Sequence, residues 1–209
     1  MKFNPNILSL YVVTDRSNDR QAFLTQIEEA LSGGATCIQL REKKLSEAEF
    51  TEEAIQVKAI CSRYHVPLII NDNLTVALNS RADGIHVGME DCPVHQIRTL
   101  AGPDFIIGST AKTIDQAKKA EADGANYLGV GAVFPSPTKT TAIRITTEDL
   151  KNICSSVSIP AIAIGGITHH NVAALRGSGI RGIAVVSAIF SSDNIREATR
   201  ELKEDVLLL

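Results

Sequence analysis

The sequence predicts an α/β fold, a single (β/α)8 barrel of parallel strands occupying residues 1–209, and three observations carry that prediction. Eight short runs rich in β-branched residues alternate with helix-like segments along the whole chain. Glycines and small residues recur just before the strands. Several strands are apolar until their C-terminal end, where they turn polar. Strands separated by helices must run parallel, and about 26 residues per strand–helix unit leave room only for short loops. An open doubly wound sheet is the alternative, but no GxGxxG follows the first strand.

In chain order the first strand is Leu8–Thr14, followed by helical spacing over Ala22–Leu31. Gly33-Gly34-Ala35 then releases the chain into a second strand, Cys37–Arg41. Within it Ile38 and Leu40 share one face, whereas Cys37, Gln39, Arg41 and Lys43 share the other. An edge strand with one solvated face would read the same way in isolation. Glu47–Tyr64 places Phe50, Ala54, Val57 and Cys61 on one side of a helix. Strands follow at Pro67–Asn71, Gly84–Gly88, Phe105–Ser109, Tyr127–Val133, Pro160–Gly165 and Gly182–Ser187. The helices between and after them are Thr75–Asn79, Val94–Leu100, Ile114–Ala122, Thr147–Cys154, Asn171–Leu175 and Ile195–Val206. Asp115, Asp149 and Asp193 stand near helix starts, where carboxylates suit the unpaired N–H groups.

Composition narrows the function classes. With 44% hydrophobic and 22% charged residues the chain can bury a sizeable core. A net charge of −3 gives no reason to expect nucleic acid or an anionic membrane as partner, so any anion site must be local. No apolar run approaches the roughly 18–20 residues of a membrane span, and the N-terminus does not read as a signal peptide. The four cysteines lack CxxC spacing, which suits thiols in a reducing, cytoplasmic setting better than a disulfide or zinc site.

In a (β/α)8 barrel the functional face is the rim at the C-terminal ends of the strands. Gln39, Arg41 and Lys43 reach it from the second strand, and Asn71-Asp72 from the third. Asp91 follows the fourth strand, Thr110 the fifth and Pro135-Ser136-Pro137-Thr138-Lys139 the sixth. Gly165-Gly166 and Val186-Ser187 close the last two. Asp72 and Asp91 end neighbouring strands, so their carboxylates could converge on Mg2+, which takes one or two carboxylates plus phosphate oxygens. Each could instead cap the helix that follows it. Two hydroxyls and an ammonium between prolines suit a phosphate group, and the glycine pair offers backbone N–H groups to another. His86 alternates into the barrel, where a hydrogen-bonded role is expected of it. Asp15 and Arg16 end the first strand and suit a local ion pair. His169-His170 lack a third ligand, and no Ser/His/Asp or Cys/His set can be assembled.

Taken in order, Gln39-Leu40-Arg41-Glu42-Lys43, Asn71-Asp72, Asp83-Gly84-Ile85-His86-Val87-Gly88, Pro135-Ser136-Pro137-Thr138-Lys139, Ile164-Gly165-Gly166-Ile167 and Val186-Ser187-Ala188-Ile189 resemble the thiamine phosphate synthase family over nearly the whole chain. The resemblance implies a TIM-barrel transferase joining hydroxymethylpyrimidine diphosphate to hydroxyethylthiazole phosphate, giving thiamine phosphate and pyrophosphate. It implies that Gln39, Leu40, Arg41, Glu42 and Lys43 border the pyrimidine diphosphate, with Asn71 beside the pyrimidine. Thr110 and Lys139 would make further contacts to that substrate, and Asp72 and Asp91 would bind magnesium. Ser136, Pro137, Thr138, Gly166, Val186 and Ser187 would face the thiazole phosphate. Arg41, Lys43 and Lys139 would stabilise the departing diphosphate. Met89 stands where the family often has glutamine, Thr110 where it has serine and Ser136 where it has threonine. The partners implied are small molecules, and the sequence leaves room for a homo-oligomer without specifying one. The alternatives are a thiazole tautomerase-like relative, a phosphate-binding isomerase, or a non-catalytic barrel that binds phosphorylated ligands.

Overall fold

Strand β1 (Leu10–Val13) opens the barrel, and β2 (Cys37–Leu40), β3 (Leu68–Asn71), β4 (Gly84–Val87), β5 (Ile106–Ala111), β6 (Tyr127–Gly131), β7 (Ala161–Ile164) and β8 (Gly182–Val185) complete it. Every neighbouring pair is parallel, and β8 pairs back onto β1 to close the ring. The structure, a computed structural model, describes residues 3–16, 19–135 and 144–209. The covering helices are α1 (Arg20–Ser32), α2 (Glu47–Arg63), α3 (Leu74–Asn79), α4 (Val94–Ala101), α5 (Ile114–Ala122), α6 (Thr147–Ser155), α7 (Ser187–Phe190) and α8 (Ile195–Val206). The segment expected as a helix over Asn171–Leu175 is a short 3-10 turn, Val172–Leu175, with no side-chain cap. One further 3-10 turn, Pro5–Leu8, replaces the start of the first expected strand.

The two faces of each strand enter different cores. Val12, Ile38, Leu40, Ile70, Ile85, Leu128 and Ala163 point outward against helix residues such as Phe23, Ile27, Phe50, Val57 and Leu150. Tyr11, Cys37, Ile69, Ile106, Tyr127, Ile162 and Ala184 point inward and fill the lower barrel with Leu8. The period-2 alternation of side chains produces both sets from the same strands.

The foot of the barrel repeats one device. Thr36, Asp83 and Asn126 each precede an even-numbered strand. Their side-chain oxygens accept from backbone N–H groups at the start of the odd strand before it: Leu10 at 2.8 Å, Leu68 at 2.7 Å and Ile107 at 2.8 Å. Arg98 of α4 adds donors to the carbonyls of Gly102, Phe105 and Gly124 and to Asn126 Oδ1. Polar groups at this end therefore complete the backbone. At the opposite rim they remain available for a ligand.

Candidate active site

A cavity of about 340 Å³ opens at the C-terminal end of the strands. Gln39, Arg41, Lys43, Asn71, Asp72, Asp91 and Thr110 line one side of it, and Gly166, Val186 and Ser187 lie on the other. Ser136, Pro137, Thr138 and Lys139 fall outside the described residues. The described flanks of that segment are anchored at the rim: Val133 and Phe134 donate to the carbonyls of Ile164 and Gly165, and Ile145 donates to Ala132.

Leu40 and Glu42 lie outside the lining of this cavity. Leu40 belongs to the outward-facing core, where strand alternation must put it once Gln39 points in. Glu42 turns toward Arg16, whose Nη1 donates to Glu42 Oε2 at 2.9 Å. That contact also replaces the expected Asp15–Arg16 pair.

Asp72 and Asp91 are both relieved of helix capping. Asn73 caps α3 by accepting from Val76 N, and α4 follows Pro93 at its N-cap with no side-chain cap. Asp72 adopts φ +64°, a left-handed conformation that aspartate tolerates better than most residues. Its backbone N–H stays bonded to His86 O, and Oδ2 receives Lys43 Nζ at 2.6 Å. Asp91 Oδ2 accepts from Gly88 N at 2.7 Å. Burial pushes the Asp91 carboxyl up and the Gly88 N–H draws it down. The Asp72 carboxyl, within hydrogen-bonding reach, raises it further against the pull of Lys43, and the net direction is upward. Two acids held together this way are under mutual repulsion, which a divalent cation relieves. No third His, Cys, Asp or Glu joins them among the described residues. That donor set fits Mg2+, which keeps waters and accepts ligand phosphate oxygens, better than a metal needing a full protein cage.

Below the rim, polar side chains form a chain across the barrel. Gln39, only 4% exposed, donates from Nε2 to Tyr11 OH at 2.7 Å. The Tyr11 hydroxyl lies 2.8 Å from Tyr127 OH, and the two share a hydrogen bond. Tyr127 OH lies 3.2 Å from His86 Nδ1, and His86 Nε2 lies 3.1 Å from Thr110 Oγ1. A neutral His86 ring offers one acceptor and one donor nitrogen, so it can bond both hydroxyls at once. Burial raises both tyrosines well above their ordinary range and lowers His86 to about 4. All three are therefore neutral at pH 7. Glycines make the space: a Cβ on Gly108 would collide with the Tyr127 ring, and one on Gly129 would come within 2.9 Å of His86 Cε1.

The cavity is thus divided. Toward β2–β5 it carries Arg41, Lys43 and Lys112 against Asp72 and Asp91; toward β6–β8 it is walled by Ile162, Ile164, Ile167 and glycine backbone. Lys112 stands at the end of the fifth strand as its place in the sequence suggests, whereas Tyr11 and Tyr127 carry no such signal. Tyr11 shares the inward phase of Val13, so its hydroxyl could have been counted with Gln39, whereas the partnership with Tyr127 joins strands 116 residues apart.

Comparison with known proteins gives concordant matches. The family model for thiamine monophosphate synthase matches residues 10–189. A thiamine-phosphate synthase of Alkaliphilus oremlandii is 44% identical over 99% of this chain and 100% of its own length. One from Methanobrevibacter smithii is 47% identical over 95% of both chains. Among solved structures, a thiamine phosphate pyrophosphorylase from Pyrococcus furiosus superposes with a TM-score of 0.89 at 37% identity, covering 98% of each chain. A 3-hexulose-6-phosphate synthase, at 13% identity and a TM-score of 0.70, shares the fold alone.

Proposed function

The chain belongs to the thiamine monophosphate synthase family and is an enzyme forming thiamine phosphate, and from that premise we propose how its residues divide the work. The pyrimidine diphosphate lies with its anionic end toward Arg41, Lys43 and Lys139, and with its ring near Gln39, Asn71 and Thr110. The C–O bond to diphosphate breaks, and its electron pair leaves with the diphosphate. The thiazole nitrogen then donates its lone pair to the pyrimidine methylene carbon, forming the C–N bond of a thiazolium. Asp72 and Asp91 would hold Mg2+, which when bound neutralises charge on the leaving group. Lys43 and Arg41 stabilise the same charge through fixed cations that need little reorganisation. The thiazole phosphate fits the side bearing Gly166, Val186 and Ser187, with Ser136, Pro137 and Thr138 as further contacts. No protein nucleophile is required. Alignment of the two substrates supplies the remainder as a proximity effect.

The observation that carries this reading is the meeting of Lys43, Asp72 and Asp91, from three consecutive strand ends, at one end of a cavity whose other end is apolar and glycine-lined. A thiazole tautomerase would have no use for that ionic half. The test is to mix both phosphorylated substrates with purified protein, with Mg2+ or with chelator, and to measure thiamine phosphate and pyrophosphate together. Equimolar products that disappear on chelation are expected. Equal yields with chelator would remove the metal from the mechanism, and no product with Mg2+ would overturn the whole reading.

A further inference from the structure

Next to the site, but outside it, lies a charge cluster that packing does not call for. Glu53 of α2 is 1% exposed and sits among Phe50, Ala54 and Val57, which pack that helix onto the barrel. A position of that kind ordinarily takes an apolar side chain, and a buried carboxylate is costly unless it is paired. Its partner is Arg16, three residues past β1. Arg16 Nη1 stands 2.9 Å from Glu53 Oε2 and 2.9 Å from Glu42 Oε2. The contact with Glu42 is an aligned hydrogen bond, whereas that with Glu53 is off the hydrogen-bonding angle and acts as charge attraction. Burial pushes the Glu53 carboxyl up and Arg16 pulls it back. Burial would also raise Glu42, but Arg16 and two backbone N–H groups hold it below its ordinary value.

Those two N–H groups point to the purpose. Glu42 Oε1 accepts from Lys43 N at 2.6 Å and from Lys44 N at 2.7 Å. Just upstream, the buried Thr14 hydroxyl accepts from Arg41 N at 3.0 Å. The end of β1 therefore grips the β2–α2 connection at Arg41 directly and at Lys43 and Lys44 through Glu42. Two of the three cations facing the ionic half of the cavity, Arg41 and Lys43, hang on this backbone. Arg16, Glu42 and Glu53 do not line the cavity themselves. Apolar residues of similar volume would serve packing as well or better than a buried ion cluster, so stability alone gives no account of these charges.

We propose that Arg16 and Glu53 are positioning residues for departure of the diphosphate: Glu53 holds Arg16, Arg16 orients Glu42, and Glu42 fixes the backbone from which Lys43 reaches Asp72. The proposal rests on the synthase reading of the site.

A double-mutant cycle tests it. Arg16→Met is expected to lower kcat about tenfold, the order lost when a reacting group is misplaced by a fraction of an ångström, with KM for the thiazole phosphate unchanged. In a Lys43→Ala background most of that loss should vanish, because the lysine through which Arg16 acts is already gone. Losses that multiply independently in the two backgrounds would overturn the proposal. Arg16→Lys keeps a cation but reaches both acids poorly, and should fall between wild type and Arg16→Met; it stands in if Arg16→Met does not fold. Hydrogen exchange gives a readout independent of turnover. The Lys43 and Lys44 amides should exchange at least tenfold faster in Arg16→Met and in Glu53→Gln, while the Ile70 amide of β3 stays protected. Unchanged exchange at Lys43 and Lys44 would sink the clamp even in an active enzyme. A wild-type protein that makes no thiamine phosphate would instead refute the synthase reading, and this proposal with it.

Discussion

The half-buried His86, at the floor of the cavity, makes the fold acid-sensitive in a definite window. Its ring is hydrogen-bonded to Tyr127 and Thr110, and burial lowers its pKa from 6.5 to about 4. The folded-state value is depressed, so between about pH 6.5 and 4 the unfolded chain takes up a proton that the folded chain refuses. Stability therefore rises with pH across that window and is lost on acidification. The whole shift is worth about 3 kcal/mol, of which about 2 kcal/mol is spent between pH 7 and pH 5. Protonation would also leave the ring with two donors and no acceptor for its Tyr127 and Thr110 partners. Urea unfolding followed by far-UV circular dichroism at pH 7 and pH 5 measures the effect, with His86→Asn as reference. The wild type should lose about 2 kcal/mol more than the variant over that interval. Carboxylates and the exposed His169–Asp205 pair titrate in both proteins and cancel. Equal losses in the two would refute the burial argument.

Three other outcomes follow from the geometry. Gly108→Ala should destabilise the barrel by about 2–3 kcal/mol, because its Cβ would collide with Tyr127 and stand 2.5 Å from His86 Nδ1; near-normal urea unfolding would show that the interior can give way. Arg98→Met should cost about 3 kcal/mol of stability by stranding the foot carbonyls, while kcat per folded molecule stays at the wild-type value because this end holds no substrate. Asp91→Asn should lower turnover about 10²-fold and shift the Mg2+ requirement to higher concentration, read from pyrophosphate release; an unchanged Mg2+ titration would remove Asp91 from the metal site.

The strand–helix alternation was legible in the residues alone, because burying one face of each element imposes a period on the residues that form it. The candidates for the rim were legible too, since Gln39, Arg41, Lys43, Asn71 and Asp72 interrupt apolar strands at their C-terminal ends. Boundaries were less legible: Leu8 belongs to a 3-10 turn, and β5 continues to Ala111. Local pattern also left Asp72 equally suited to capping, until Asn73 was found in that role. Partners became visible only in the folded chain. Arg16 bypasses its neighbour Asp15 for Glu42 and Glu53, and Tyr11 meets Tyr127 across a closed ring. Periodicity fixes the face a side chain occupies. The identity of the group it meets there depends on ring closure and register, which join residues far apart in the chain.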